Sequence, residues 1–356
     1  MRIFVTGAAS PLGRAVTDLL VRRGHRVLGL VRRRSGVAQV NNLGADAVIG
    51  DLRVPGPWTA AMEGCELVFH LASYFDFWSS TPETFETVNV HGTRHTMDAA
   101  AAAGVRRVVV CSSALTLSDP GRGSRDGVAP ATRPQSSFER SQRQAERYAL
   151  GLRARGIEVV VINPGLVVAP GDQGWTGRLI AGCVSGRSPV AAHANVGWLW
   201  VHDLAHALVQ ASETGVDGTR YAVAGESMSS HAFLSLIAKR AGASAPRAYP
   251  PALALGEAAL STAVARPFHR RPRLTVDEAR FLSSGFAVDG RRAARALDIE
   301  YTPIARYLPT LVTSYQRAAE HFGTRPIARG PRPGSESGKP GQSRATGAVR
   351  TARPER

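Results

Sequence analysis

Two rhythms of apolar residues alternate along the first half of the chain. Short β-branched runs have the length of buried strands: Arg2–Thr6, Arg26–Val31, Ala47–Gly50, Glu66–Ala72, Arg107–Cys111 and Ile157–Ile162. Between them the apolar spacing turns helical, as in Ala15, Val16, Leu19 and Leu20, and again over 82–103 and 136–155. Strands alternating with helices predict an α/β chain built on a Rossmann-type, doubly wound parallel sheet.

The first strand stops at Gly7-Ala8-Ala9-Ser10-Pro11-Leu12-Gly13 and a helix follows. In a strand–turn–helix unit of this kind the helix N-terminus faces a phosphate with free N–H groups. Gly7 permits the tight turn, Gly13 allows close helix–sheet packing, and Pro11 suits the first helical turn. Ser10 stands where the middle glycine of a Gly-x-x-Gly-x-x-Gly loop would let a pyrophosphate approach, so its hydroxyl either caps the helix or bonds a phosphate. The second strand ends in Arg32-Arg33-Arg34, about twenty residues past the loop. An acidic residue there would bond a ribose 2′-hydroxyl, whereas arginine accommodates a 2′-phosphate, so NADP(H) is expected ahead of NAD(H). Asp51, after the third strand, is placed to receive an adenine amino group.

Composition narrows the picture only modestly. Apolar residues make up 44% of the 356 and charged residues 20%, as in an ordinary globular protein. The net charge of +16 is carried almost wholly by arginine, Lys239 and Lys339 being the two lysines. Residues 324–356 hold eight basic against two acidic residues amid Gly, Pro and Ser, and are expected to form a disordered basic tail. That tail lacks the interleaved aromatics of a nucleic-acid binder, so no nucleic-acid partner is expected. Cys65, Cys111 and Cys183 have no metal-ligand spacing and read as buried free thiols, with no metal site. No membrane span and no signal peptide are read, and a cytoplasmic location is expected. The apolar stretch Ala252–Ala265 is expected to be a helix of a second lobe, a membrane-surface role beside Arg266, Arg270, Arg271 and Arg273 being the alternative.

Several motifs in order carry a resemblance: Thr6-Gly7…Gly13, Asp51-Leu52, His70-Leu71-Ala72, Asn89-Val90…Gly92-Thr93, Ser112-Ser113-Ala114, Asn163-Pro164-Gly165…Pro170-Gly171-Asp172, Trp200-Val201-His202-Asp203-Leu204-Ala205 and Gly218-Thr219-Arg220-Tyr221. Over residues 1 to about 322 the chain resembles an extended short-chain dehydrogenase/reductase, of the NAD-dependent epimerase/dehydratase superfamily. Within it the likeness is to dihydroflavonol-reductase-like and 3β-hydroxysteroid-dehydrogenase-like members. The resemblance implies a dinucleotide-binding domain at 1–165, rejoined by 201–224, and a smaller substrate lobe from 166–200 and 225–322. It also implies a cofactor site at Gly7, Ser10, Leu12, Gly13, Arg32, Arg33, Asp51, Leu52, Leu71, Ala72, Asn89, Gln142 and Pro164. Family precedent allows a homodimer through helices of 83–103 and 136–155.

Members of this family orient the substrate oxygen with Ser or Thr, pass a proton through Tyr, and lower the pKa of that Tyr with a Lys four residues on. Ser113 matches the serine. The usual Tyr-x-x-Ser-Lys-x-x-Ala-Glu aligns with Phe138-Glu139-Arg140-Ser141-Gln142-Arg143-Gln144-Ala145-Glu146, so Tyr has become Phe138 and Lys has become Gln142. Gln142 can still bond ribose hydroxyls, but Phe138 transfers no proton, and loss of a general acid removes roughly 10²–10⁴-fold in rate. Tyr74, Ser113, Ser137 and Ser141 are the candidates to replace it, with Arg140 and Arg143 as cations for an oxyanion. Tyr74, Phe77 and Trp78, in the aromatic loop Ser73–Trp78, are expected either to line, together with Phe138, a pocket for a lipophilic small molecule or to pack as hydrophobic core beneath the loop.

These residues support a reductase acting on a polycyclic or secondary-metabolite-type ketone/alcohol pair with a rearranged proton-transfer site. The alternatives are a non-redox cyclase, dehydratase or isomerase on the same fold, and a non-catalytic NADP-sensing or scaffold protein.

Overall fold

The computed structural model describes residues 1–321 apart from 82, 120–122, 125–133, 188–190 and 269. The basic tail expected at 324–356 therefore lies outside the described residues.

Seven parallel strands form the main sheet: β1 (Arg2–Thr6), β2 (Arg26–Val31), β3 (Asp46–Ile49), β4 (Leu67–His70), β5 (Arg107–Cys111), β8 (Glu158–Pro164) and β11 (Arg220–Val223). Their order across the sheet is β11-β8-β5-β4-β1-β2-β3. The chain thus leaves β1 in one direction, returns, and builds outward from β4 in the other, which is the doubly wound topology. A short hairpin, β6 (Ser118–Asp119) and β7 (Gly123–Ser124), stands apart from it. In register, Thr6 lies beside both Leu30 and His70, so the turns after β1, β2 and β4 open at one edge.

Alternation along β1 explains why both faces are covered. Ile3 and Val5 enter one core with Val16 and Leu20 of α1 (Pro11–Arg22) and Leu204 and Leu208 of α6 (Val201–Thr214). Phe4 enters the opposite core with Met97 and Ala100 of α3 (Gly92–Ala102) and Ala149 of α4 (Ser137–Gly151). The short helix α2 (Val37–Asn41) closes the β2–β3 crossover.

A third core belongs to the C-terminal part. Trp175 and Ile180 of α5 (Trp175–Val184), Trp198 of β10 (Asn195–Trp200), Phe233 of α7 (Ser230–Ala241), Phe281 of α9 (Val276–Ser284) and Leu311 of α11 (Ile304–His321) pack together there. A small sheet of β9 (Leu166–Val168), β10 and β12 (Ser227–Ser229) borders it. The apolar stretch near 252–265 is the helix α8 (Pro251–Ala265), which meets this core through Ala254 and Ala258. α10 (Arg291–Leu297), within the stretch assigned to the lobe, instead sends Ala293 and Leu297 into the core shared with α1 and α6.

The region read as one helix over 82–103 is divided. A π-helical turn at Glu86–His91 precedes α3. Such a turn inserts an extra residue and recurs at functional sites. Here Asn89 is buried within it and Thr93 Oγ1 bonds the Asn89 carbonyl at 2.5 Å.

Candidate functional site

At the nucleotide end Gly7 has φ +70°, a conformation that an L side chain resists. A Cβ at Gly13 would lie 2.2 Å from Gly7 O and 2.7 Å from Ala8 Cα, so only glycine lets α1 rest on the turn. Ser10 is the N-cap: its Oγ accepts from Gly13 N at 3.0 Å. Pro11 has no N–H and Arg14 N bonds Ser10 O, which leaves Leu12 N–H as the first-turn donor for an anion. These features fit a dinucleotide phosphate, with Arg32 and Arg33 exposed at the end of β2. Asp51 is engaged already: Arg53 Nη2 donates to it at 2.7 Å and Arg53 N at 2.9 Å. Burial pushes the Asp51 carboxyl up, but these bonds hold it below the usual carboxylate range. Leu52 is buried against Gly92, where a Cβ would come within 3.2 Å of Leu52 Cβ.

Beside the turn a buried polar chain sets the loop after β4. Thr93 Oγ1 gives its proton to Asn89 O, so His70 Nε2–H donates to Thr93 Oγ1 at 2.9 Å. His70 Nδ1 then accepts from Thr6 Oγ1 at 3.1 Å, and Thr6 Oγ1 accepts from Leu71 N and Ala72 N at 3.0 and 3.1 Å. Each hydroxyl has one proton to give, which fixes the direction of the whole chain. Desolvation lowers His70 to about 4, keeping it neutral.

Asn89 and Gln142 converge on Ser73 and Tyr74. Asn89 Oδ1 accepts from Tyr74 N at 2.7 Å, and its Nδ2 donates to Tyr74 O at 3.2 Å and Ser141 Oγ at 2.9 Å. Gln142 Nε2 donates to Ser73 Oγ at 2.8 Å, while Ser141 Oγ donates to Phe138 O at 2.8 Å. Across α4, Thr116 Oγ1 and Asn163 Nδ2 both donate to Glu146 Oε1, and Arg220 Nε to its Oε2 at 3.0 Å. Asn163 Nδ2 also reaches Ser113 O at 3.2 Å, so this cluster seats the Ser112-Ser113 turn. Ser113 Oγ accepts from Leu115 N at 3.3 Å. Pro164 ends β8 opposite Val223. Arg140 donates to Ser137 Oγ and Arg143 pairs with Glu139, so both cations already have partners.

The aromatic loop splits in two. Phe77 is buried among Trp175 and Phe281 at centroid distances of 5.0 and 4.8 Å, in the C-terminal core. Phe138 packs edge-on to Phe75 at 4.8 Å, and Phe75 touches Trp175. Tyr74 OH donates to Trp78 O at 3.0 Å, and burial, with Asp76 nearby, pushes its phenol up. Trp78 is half-buried with the Arg271 guanidinium over its ring at 5.9 Å.

Sequence reasoning passed over Asp76, the acid in this loop. Its buried carboxylate accepts from Phe77 N, from Arg178 at 2.6 Å and from both terminal nitrogens of Arg271 at 2.9 Å. α5 and the segment before α9 are thereby fastened to the loop after β4. One signal was available: a lone acid among aromatic residues needs a cationic partner. Arg271 also faces Glu278, whose carboxyl is raised by burial and accepts from Trp175 Nε1 at 2.8 Å.

The chain is 31% identical to "Sterol demethylase protein B" of Methylococcus capsulatus over 84% of its own length and 93% of that protein. It is 28% identical to a "Putative dihydroflavonol 4-reductase" of Synechocystis sp. over 88% and 94% of the two chains. The crystal structure of gox2253 superposes with a TM-score of 0.76 at 29% identity, covering 90% of this chain and 98% of the other. Residues 3–224, from β1 through β11, match the profile of the NAD dependent epimerase/dehydratase family, and the chain belongs to that family.

Proposed function

We propose that the chain binds NADP(H) and interconverts the ketone and alcohol of a lipophilic, polycyclic or secondary-metabolite-type substrate. The observation that carries this reading is the Gly7–Gly13 turn, with Leu12 N–H free at the head of α1 and Arg32 and Arg33 beside it. A bound nicotinamide supplies or accepts hydride. Gln142 and Asn89 would hold the ribose side through the loop they order, and Asp51 with Leu52 would border the adenine. Leu71, Ala72 and Pro164 would form the backbone floor. Ser113 bonds Leu115 N as an acceptor, which leaves its own proton to orient a substrate oxygen. Tyr74 and Ser141 are weaker proton donors, because Trp78 O and Phe138 O already take their hydroxyl protons. Trp78 would supply apolar wall, with Phe138 buried against Phe75 behind it, and similarity to "Sterol demethylase protein B" supports a lipophilic substrate.

Calorimetry with NADPH, NADP⁺ and NADH tests the cofactor half. Micromolar binding with preference for the phosphorylated forms is expected, and Arg32→Ala with Arg33→Ala should abolish the preference. A preference that survives both substitutions overturns the ribose assignment. Substrate-dependent NADPH oxidation across a carbonyl panel tests the chemistry.

A redox-neutral cyclisation, dehydration or isomerisation is the second reading. It is favoured by Phe138 lying against Phe75, with no phenol proton offered there. Product formation at constant nicotinamide absorbance would select it, and tight NADPH binding without turnover would select a sensor. A homodimer through helices of 83–103 and 136–155 would show as a doubled mass in sedimentation.

A further inference from the structure

Helix α8 is built the wrong way round for a lobe helix. An ordinary surface helix turns its large apolar residues inward. α8 instead rests on the protein through the small Ala254 and Ala258, and Ser261 Oγ bonds Leu274 O at 2.5 Å. Its large residues face outward: Leu253, Leu260 and Val264 are 64%, 69% and 63% exposed, Leu255 on the other side of the helix is 37% exposed, and Phe268 just beyond the helix is 69% exposed. Residues 253, 257, 260 and 264 fall on one stripe at 100° per residue, so Glu257 sits within the apolar row. Gly256, Ala252, Ala259 and Ala263 occupy the neighbouring rows. Glu257 is the acid of this helix, and it pairs with Arg273 at 3.4 Å.

Charge identifies the occupant. From Ser230 to Thr275 there are seven Lys/Arg and one acid, Glu257, and Arg271 and Arg273 among them are paired with Asp76 and Glu257. Arg247, before α8 in the chain, and Arg270, just after Phe268, are exposed. An apolar helical face within a cationic segment matches a bilayer carrying anionic headgroups. A second copy of the chain fits poorly, because a two-fold contact would set these arginines against their own equivalents.

We propose that α8 and the turn to Phe268 are a peripheral docking surface for anionic lipid. Arg271, three residues past Phe268, is the residue that grips Asp76 in the loop Ser73–Trp78. The docked surface is therefore joined by a short, fastened path to the candidate site. Its use as a route for substrate out of the bilayer rests on the lipophilic-substrate reading, whereas docking itself does not.

The test is co-sedimentation of the full chain with vesicles of phosphatidylcholine alone and of phosphatidylcholine with equal phosphatidylglycerol. Binding is expected to the anionic vesicles and to fall with added salt. Leu260→Asp with Phe268→Asp should weaken it ~tenfold or more, and Arg270→Ala or Arg247→Ala about fivefold each. All four side chains are exposed, so circular dichroism and NADPH affinity should stay at the parent values. The substitutions also separate α8 from the basic residues 324–356, which they leave untouched. The proposal falls if the folded parent ignores anionic vesicles, or if the aspartate variant binds them as well as the parent. It falls equally if sedimentation velocity shows a self-association that the aspartates break without any lipid binding. None of these readouts uses turnover, so a failed reductase assay leaves the result intact.

Discussion

Asp76→Ala should be among the most damaging single changes outside the cores. The Asp76 side chain is 7% exposed, and its arginine partners Arg178 and Arg271 are each 32% exposed. Breaking a buried ion pair from one side costs about 3–5 kcal/mol. Both guanidinium groups can recover some water here, so the lower end, about 3 kcal/mol, applies to the charges. Phe77 N also loses its 2.7 Å acceptor, which adds about 1 kcal/mol. The expected loss is about 4 kcal/mol out of a total stability of about 5–15. Asp76→Asn keeps an acceptor for the backbone and should lose less. Urea denaturation followed by circular dichroism reads both. Double-mutant cycles with Arg178→Ala and Arg271→Ala should give the larger coupling to Arg271, which bonds through two nitrogens. A loss below about 1 kcal/mol, or no coupling in either cycle, would refute the view that this carboxylate fastens the loop to the C-terminal core.

Two further outcomes follow from the buried network. Because His70 is held neutral with its pKa lowered to about 4, the unfolded chain binds a proton that the folded chain refuses between about pH 6.5 and 4. Its stabilising contribution is therefore complete above pH 6.5 and lost as pH falls, by about 3 kcal/mol on reaching pH 4, and His70→Gln should flatten that part of the profile. Phe138→Tyr with Gln142→Lys should cost stability, since the new hydroxyl enters a contact with Phe75 and the lysine replaces a bond to Ser73. If a reductase lies dormant, the same variant should raise substrate-dependent NADPH oxidation by ~10²–10⁴-fold, and an unchanged rate in a folded protein would rule it out.

The main sheet was legible because buried parallel strands announce themselves as short β-branched runs with helical spacing between them. The turn at Gly7–Gly13 was legible for a related reason: its glycines answer local steric demands that any neighbour would impose. What escaped notice depends on partners distant in sequence. Asp76 bonds Arg178 and Arg271 across 102 and 195 residues, and no local period encodes that. The π-helical turn at Glu86–His91 was read as ordinary helix, since its apolar spacing is helical on both sides. Phe77, for which the sequence leaves both a pocket wall and packing beneath the loop open, is buried with Trp175 and Phe281, and aromatic composition alone does not distinguish the two.

On the proposed reading, Phe138 and Gln142 of α4, standing where the family carries Tyr and Lys, make sense as a pair. Gln142 is buried at 4% exposure and ends on Ser73 Oγ, which also donates to Asn89 Oδ1 at 3.4 Å. Every partner there is neutral. A lysine in the same place would bring a charge beside carboxylates already paired, Glu139 with Arg143 and Glu146 with Arg220, and a desolvated ammonium is costly without a partner of its own. Such a cation is useful when a phenol nearby must surrender a proton, and Phe138 has none to surrender. Phenylalanine and glutamine together therefore leave a neutral, ordered stretch of α4, while the charges around it are committed elsewhere: Asp76 to Arg178 and Arg271, Glu139 to Arg143 and Glu146 to Arg220. On the proposed reading, proton transfer would then run through a hydroxyl such as that of Ser113 or through the substrate itself.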